Sequence, residues 1–163
     1  MQERVQYGKA YPDAYKAMLA LSQAVERTGL APQLIDLVNY RVSQLNGCAY
    51  CLDMHAKDLR ARGETEQRLY MISAWREAPH LYSDRERAAL AWAEAVTTLE
   101  HQQVPDAVYD LASRQFNAAE LTKLPLATVA INGWNRFNVA FHMPAGDYKS
   151  AIASKPAEVR SRV

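Results

Sequence analysis

The residues in this chain best suited to chemistry lie in one short stretch, Cys48-Ala49-Tyr50-Cys51-Leu52-Asp53-Met54-His55. On a helix, a Cys-x-x-Cys spacing puts two thiols one turn apart, close enough to form a disulfide with small adjustment. Such a bond closes a very short loop and removes little entropy from the unfolded chain, so it is a poor stabiliser. Its use is reversibility. Asn46-Gly47 immediately before the pair breaks the helical path and places Cys48 at a helix N-terminus. Unsatisfied backbone N–H groups and the helix dipole there favour a thiolate over a thiol.

His55 follows Cys51 by four residues and Cys48 by seven, so a helix carries all three on roughly one face. An imidazole at that position can take the proton from Cys51 or stabilise its thiolate. A base needs an orienting partner, and Asp36 is the candidate. If the helices on either side of Asn46-Gly47 pack antiparallel, Asp36 and His55 are each about ten residues from the turn and face one another. Spacing leaves the order of events open. The i, i+4 relation favours Cys51 as the attacking sulfur beside its base, and the helix-terminal position favours Cys48 as the sulfur open to exchange.

Other readings of these residues stand beside this one. Two cysteines can be small buried hydrophobes. Cys-x2-Cys-x3-His offers three zinc ligands of suitable type, but no second cysteine pair completes a site. Haem attachment through Cys-x-x-Cys-His is excluded, because Leu52 follows Cys51. His142 reads as structural. Trp75, Trp92 and Trp134 read as core or subunit interface, and Asp84 to Arg87 as a capped, solvated first turn.

The elements that must position this site read as helices throughout. The 163 residues fit a single domain, 1–163, with 49% hydrophobic and 23% charged residues. About seven helices are expected. Pro12-Asp13 opens the first, which stops at Gly29, and Pro32 opens the second. The third runs from near Cys48 to about Ala61 and the fourth from about Thr65 to Glu77. Ser83 with Glu86 caps the fifth, Pro105 opens a short sixth, and Asn117 with Glu120 caps a long seventh that Pro125 is expected to kink. The tail from Ser154 reads as frayed and polar. Val42 to Cys48 is echoed by Val129 to Trp134, each with an Asn-Gly pair, as a degenerate two-fold repeat or a chance match would be.

Nineteen basic and eighteen acidic residues leave a formal net charge of +1 and no basic block, which argues against nucleic acid or an anionic membrane surface. The polar segment Met1 to Lys9 offers no signal peptide, and no window approaches the roughly 18 apolar residues of a membrane span. The expected location is the cytoplasm, where closely spaced cysteines are reactive or metal-binding more often than structural.

Arg41-Val42-Ser43-Gln44-Leu45-Asn46-Gly47-Cys48-Ala49-Tyr50-Cys51 with Met54-His55 resembles the AhpD-like alkylhydroperoxidase branch of the carboxymuconolactone decarboxylase family. Gly63 to Leu69, Trp75 to Glu77, Glu86 to Trp92 and Ile131 to Asn138 are similar to the same family in the same order. The resemblance implies an all-α, multi-helix AhpD-like fold assembled as a homo-oligomer, a trimer or hexamer. It also implies peroxidase or disulfide-reductase chemistry with no metal or prosthetic group. In that branch a glutamate, the two cysteines and a histidine form a proton relay; the resemblance gives those roles to Asp36, one methylene shorter than glutamate, Cys48, Cys51 and His55. Tyr50 stands where some members carry a histidine. Implied partners are a hydroperoxide or disulfide substrate, an external dithiol such as a lipoyl group on a lipoyl-bearing protein, and a peroxiredoxin. The family name implies an alternative, a decarboxylating lyase independent of the cysteine pair. A non-enzymatic redox-sensing oligomer is a third expectation.

Overall fold

The structure, a computed structural model, describes residues 2–152. The tail from Ser154 lies outside the described residues. Within them the chain forms eight α-helices and no strand: α1 Tyr7–Ala10, α2 Pro12–Glu26, α3 Pro32–Leu45, α4 Ala49–Ala61, α5 Glu66–Met71, α6 Asp84–Thr98, α7 Asp106–Ser113 and α8 Ala118–Phe141. Prolines sit in the first turns of α2 and α3, where the missing N–H costs no helical bond. Capping boxes at Ser83/Glu86 and Asn117/Glu120 start α6 and α8.

α3 and α8 are the central pair. α3 packs on α4, α6 and α8, and α8 also packs on α2, α4 and α6. Leu34, Val38 and Val42 of α3 meet Ala88, Ala89 and Ala93 of α6 and Leu124 and Ile131 of α8 in the main core. Alanines along α6 let the helix axes approach closely, so the larger side chains of α3 and α8 fill the space between. Each such Leu, Ile or Val contributes roughly 1.5–3 kcal/mol by leaving water. Cys48 and Cys51 belong to this same cluster.

One element is added to the sequence reading and one is shortened. α1 is an additional single turn with no apolar periodicity to announce it. Tertiary contact creates it: the Tyr7 ring packs 5.2 Å from Phe137 and 5.7 Å from Phe141, and the Arg4 N–H donates to the Phe141 carbonyl. The fourth expected helix does not reach Glu77. It ends at Met71 and tightens into a 3₁₀ turn, Ile72–Ala74. At three residues per turn, Ile72 and Trp75 eclipse on one side, and both enter a second cluster with Leu37, Tyr82 and Leu90. α8 runs unbroken through Pro125, which cannot donate to the Leu121 carbonyl one turn back.

The echoed Asn-Gly pairs meet in space and take different conformations. Asn46 caps the C-terminus of α3, and Gly47 follows at φ +65°. Asn132-Gly133 stays inside α8, where a Cβ on Gly133 would lie 2.7 Å from Met18 Cε of α2. The Asn46 amide donates to Asn132 Oδ1 at 2.9 Å and Asn135 Oδ1 at 2.8 Å. Asn135 in turn donates to Ser43 Oγ at 3.1 Å. Buried amides need such partners, and here they tie the α3–α4 turn to α8.

Glu94 of α6 anchors an ion cluster. It accepts from Arg41 Nε at 2.6 Å and Trp75 Nε1 at 2.9 Å and pairs with Arg76. Burial alone would raise its carboxyl; hydrogen bonds from Trp75, Arg41 and Arg76 outweigh that and hold it below the usual carboxylate range. A carboxylate held low contributes stability above its unfolded pKa and loses it as pH falls through the folded value. The first turn of α6 is likewise more than solvated: Arg85 pairs with Glu120 and lies over the Phe116 ring, and Glu86 pairs with Arg68.

Glu94→Ala is expected to lower the unfolding free energy by about 3 kcal/mol or more, since it leaves Arg41 buried without its partner. Urea denaturation checks the size. The variant's stability should also fall less steeply than wild type as pH drops through the acid range. Gly47→Ala meets no atom within 4 Å, yet it should cost about 1–2 kcal/mol because an L side chain resists the left-handed region. The same denaturation measurement decides it.

Candidate active site

Gly47 at positive φ lets the chain reverse between α3 and α4, and Cys48 then takes extended backbone geometry as the N-cap of α4. Its sulfur accepts from the Cys51 backbone N–H at 3.3 Å, as a capping oxygen would. Cys48 and Cys51 are joined by a disulfide with their Cα atoms 5.4 Å apart. Both cysteines are 1% exposed. They are therefore core residues and a redox-capable pair at once.

The two sulfurs have different surroundings. Cys48 borders a cleft of about 470 Å³ lined by Gly47, Tyr50, Asn138, Val139, His142 and Met143 among others. His142, read from sequence as structural, does close α8 as its left-handed C-cap, and it also lines this cleft. Cys51 is not among the residues lining it. Its sulfur accepts from Asn138 Nδ2 of α8 at 3.2 Å, and Asn138 Oδ1 accepts from the Tyr7 hydroxyl at 2.9 Å. Burial, with the neighbouring Tyr15 and Tyr50 phenols and Glu3, pushes the Tyr7 hydroxyl up to about 12, so it remains a proton donor across the physiological range.

His55 sits one turn beyond Cys51 on α4, 5% exposed. α3 and α4 pack against each other, which brings Asp36 opposite it as the spacing predicts. The approach is 3.7 Å from His55 Nδ1 to Asp36 Oδ1, longer than a hydrogen bond. Both His55 ring nitrogens are buried without a hydrogen-bond partner. Asp36 is not a solvated helix residue: its Oδ2 accepts from Arg62 Nε at 2.6 Å.

A second cavity, of about 400 Å³, opens on the His55 side. Its polar end holds His55, Asp36, Asp58 and Arg62, and its apolar walls include Val25, Leu30, Ile35, Met54 and Ile131. Trp134, expected in core or interface, lines this cavity while its Nε1 donates to Ser22 Oγ at 2.8 Å. The segment after α8 crosses the outer face of α4. Gly146 N donates to Asp53, Lys57 donates to the Gly146 and Tyr148 carbonyls, and the Tyr148 hydroxyl donates to Asp58 at 3.0 Å. Burial and the Asp58 carboxylate push the Tyr148 hydroxyl up to about 12. Ile152, at the end of that segment, lines the His55 cavity.

All four residues singled out in the sequence, Cys48, Cys51, His55 and Asp36, therefore gather at the N-terminal half of α4 and the facing side of α3. Sequence reasoning missed Asn138, Tyr7, Arg62 and Tyr148. Only the Asn in Asn135-Arg136-Phe137-Asn138 carried a local signal, a polar residue on the buried stripe of α8. Among the described residues, no three His, Cys, Asp or Glu side chains cluster so as to hold a metal ion. No helix among them is long and apolar enough to cross a membrane.

Comparison with known proteins places the chain in a family and a fold. YdfG of Bacillus subtilis (strain 168), itself uncharacterised, is 37% identical over 140 residues, covering 86% of this chain and 95% of YdfG. A crystal structure of a protein of unknown function from Agrobacterium tumefaciens, assigned provisionally as the antioxidant-defence protein AhpD, superposes with a TM-score of 0.86 at 39% identity, covering 90% of this chain and all of that one. An uncharacterised peroxidase-related protein from Ralstonia eutropha JMP134 with an alkylhydroperoxidase AhpD core shares the fold at 22% identity and a TM-score of 0.71, over 86% of this chain and 74% of its own. The carboxymuconolactone decarboxylase family model matches residues 12–95, which hold Asp36, both cysteines and His55. This chain belongs to the carboxymuconolactone decarboxylase family and has the AhpD-like fold.

Proposed function

We propose that the protein is a thiol-dependent peroxidase or disulfide reductase that cycles Cys48 and Cys51 between dithiol and disulfide. One observation carries the reading: the two cysteines form a short-range disulfide at the N-terminus of α4, with a cleft against Cys48 and an imidazole one turn past Cys51. A bond of that span does little for stability, and a helix N-terminus favours the thiolate needed to use it.

In the cycle, His55 takes the proton of Cys51, and the thiolate attacks the terminal oxygen of a hydroperoxide. The O–O bond breaks, the alcohol leaves with the proton returned by His55, and Cys51 becomes a sulfenic acid. Cys48 then attacks the Cys51 sulfur and expels water, which closes the disulfide. An external dithiol attacks Cys48 from its cleft, the Cys48–Cys51 bond breaks with Cys51 as leaving thiolate, and the second thiol of the donor releases the reduced enzyme. The sum is hydroperoxide and dithiol to alcohol, water and disulfide. With a partner disulfide as substrate, the exchange half of the cycle runs in reverse.

Asp36 stands 3.7 Å from His55 Nδ1, a separation at which its carboxylate acts on the imidazole by charge and not through a hydrogen bond. Arg62 holds Asp36 in place through an ion pair, its Nε 2.6 Å from Asp36 Oδ2. The same reading carries over from the family resemblance a homo-oligomeric assembly and a lipoyl-type dithiol as electron donor, and keeps the cytoplasmic setting expected from the sequence, with no metal or prosthetic group taking part.

The test is peroxide consumption by the pure protein with dihydrolipoamide, wild type beside variants. Wild type is expected to turn over and Cys51→Ser to abolish turnover. His55→Ala should lower kcat/KM by roughly a hundredfold or more, the usual worth of a positioned base, and Asp36→Asn by less. A Cys48→Ser, Cys51→Ser double variant with full activity on any family substrate would overturn the thiol reading in favour of a lyase.

A further inference from the structure

The Cys51 sulfur touches one polar side chain from outside its own helix, the Asn138 amide at 3.2 Å. A disulfide sulfur and a thiolate carry lone pairs and no hydrogen, so they only accept. The amide must therefore present its NH₂ to Cys51 and its carbonyl to the opposite side. The Tyr7 hydroxyl lies on that side at 2.9 Å, and a carbonyl obliges it to donate. Both partners are buried, and Tyr7 is clamped by the Phe137 and Phe141 rings. The orientation of the amide is thus decided at the Cys51 end, and the Tyr7 hydroxyl, able to donate or accept, donates to the carbonyl and anchors the amide there.

Resting on the thiol–disulfide reading above, we propose that Asn138 is a further catalytic residue, a fixed hydrogen-bond donor to Cys51 as thiolate, and that Tyr7 is the positioning residue that orients it. A hydrogen bond to a charged acceptor is about twice as strong as one to a neutral acceptor. The Asn138 donor therefore favours the thiolate over both the thiol and the disulfide. It acts at two steps. It supports Cys51 as nucleophile in the reduced protein. It also supports Cys51 as leaving group when a reductant thiolate bonds to the Cys48 sulfur, the Cys48–Cys51 bond breaks, and the electron pair departs on Cys51. A lower leaving-group pKa speeds that exchange. The device gives the pair a direction, with Cys48 open to its cleft for exchange and Cys51 stabilised behind it.

The proposal separates from a packing role because its two partners can be exchanged for apolar groups of nearly the same shape, Tyr7→Phe with Asn138→Leu, a swap that need not cost stability. The measurement is the pH profile of Cys51 alkylation in reduced protein carrying Cys48→Ser, with far-ultraviolet dichroism and thermal melts as the check on folding. The double variant is expected to move the profile up by about one pH unit or more, a tenfold loss of thiolate at a pH below both values. Tyr7→Phe alone, which keeps the ring and its packing, should move it in the same direction by less. If Asn138→Leu does not fold, Tyr7→Phe decides the matter. Folded variants whose profiles coincide with the Cys48→Ser parent, whatever their melting temperatures, would overturn the proposal. Peroxide turnover of the wild type is read separately. Turnover with unshifted profiles defeats the role of Asn138 and leaves the peroxidase reading standing, and shifted profiles in an inert wild type do the reverse.

Discussion

The site depends on one turn, Asn46-Gly47-Cys48, and on the amides that hold it. A left-handed residue is needed for α3 to reverse into α4, and Gly47 supplies it at φ +65°. The Asn46 side chain then ties the turn to Asn132 and Asn135 on α8. Three consequences come from that constraint. Cys48 becomes the N-cap of α4, its sulfur accepting a backbone N–H. α4 lies along α3, which sets His55 opposite Asp36. α8 passes close enough behind the turn for Asn138 to reach Cys51. A turn held only by its own backbone would leave these distances to chance; a buried amide network makes them specific, since a displaced amide loses partners it cannot replace.

The disulfide is also part of the main hydrophobic core, in one cluster with Val42 of α3, Ala89 of α6 and Ile131 of α8. Reactive groups placed in a packed core keep their geometry, because neighbouring side chains cannot shift without opening voids. Access is then confined to the boundaries of that core. The cleft at Cys48 and the cavity at His55 are separate and share no lining residue. Polar and apolar surroundings are divided accordingly. The His55 cavity joins an apolar wall to a charged end of His55, Asp36, Asp58 and Arg62, while the Cys48 cleft is bounded by the last turn of α8 and the segment after it.

Much of this was legible in the residues themselves. Capping boxes and N-terminal prolines marked α2, α3, α6 and α8 at their starts, because those signals are local: a cap satisfies orphan N–H groups within its own first turn. The Cys-x-x-Cys-x3-His spacing and the Asn-Gly break placed three site residues on one helix end, and the hairpin argument placed the fourth. What failed locally failed for non-local reasons. α1 has too few residues to be stable alone and exists through Phe137 and Phe141. The fourth helix breaks at Met71 because Ile72 and Trp75 bury together on the second cluster. The echo of Val42 to Cys48 in Val129 to Trp134 joins segments that touch one another, but one Asn-Gly turns and the other stays helical, where Met18 needs the space a Cβ would take.

The sequence by itself determined the helical class, the cysteine pair and its place at a helix N-terminus, and the placement of Asp36 opposite His55 across a hairpin, since each follows from periodicity or from spacing along a single element or turn. Only the tertiary structure decided which sulfur meets a cleft, that Arg62 claims Asp36 and leaves both His55 nitrogens unpartnered, and that Tyr7 and Asn138 stand behind Cys51, residues 131 positions apart in the chain. The physical reason is that hydrogen bonds and access are properties of distance in space. A local motif sets distances within one or two turns of helix, and the packing of α3 and α8 on α4, with Tyr7 of α1 against α8, sets the rest.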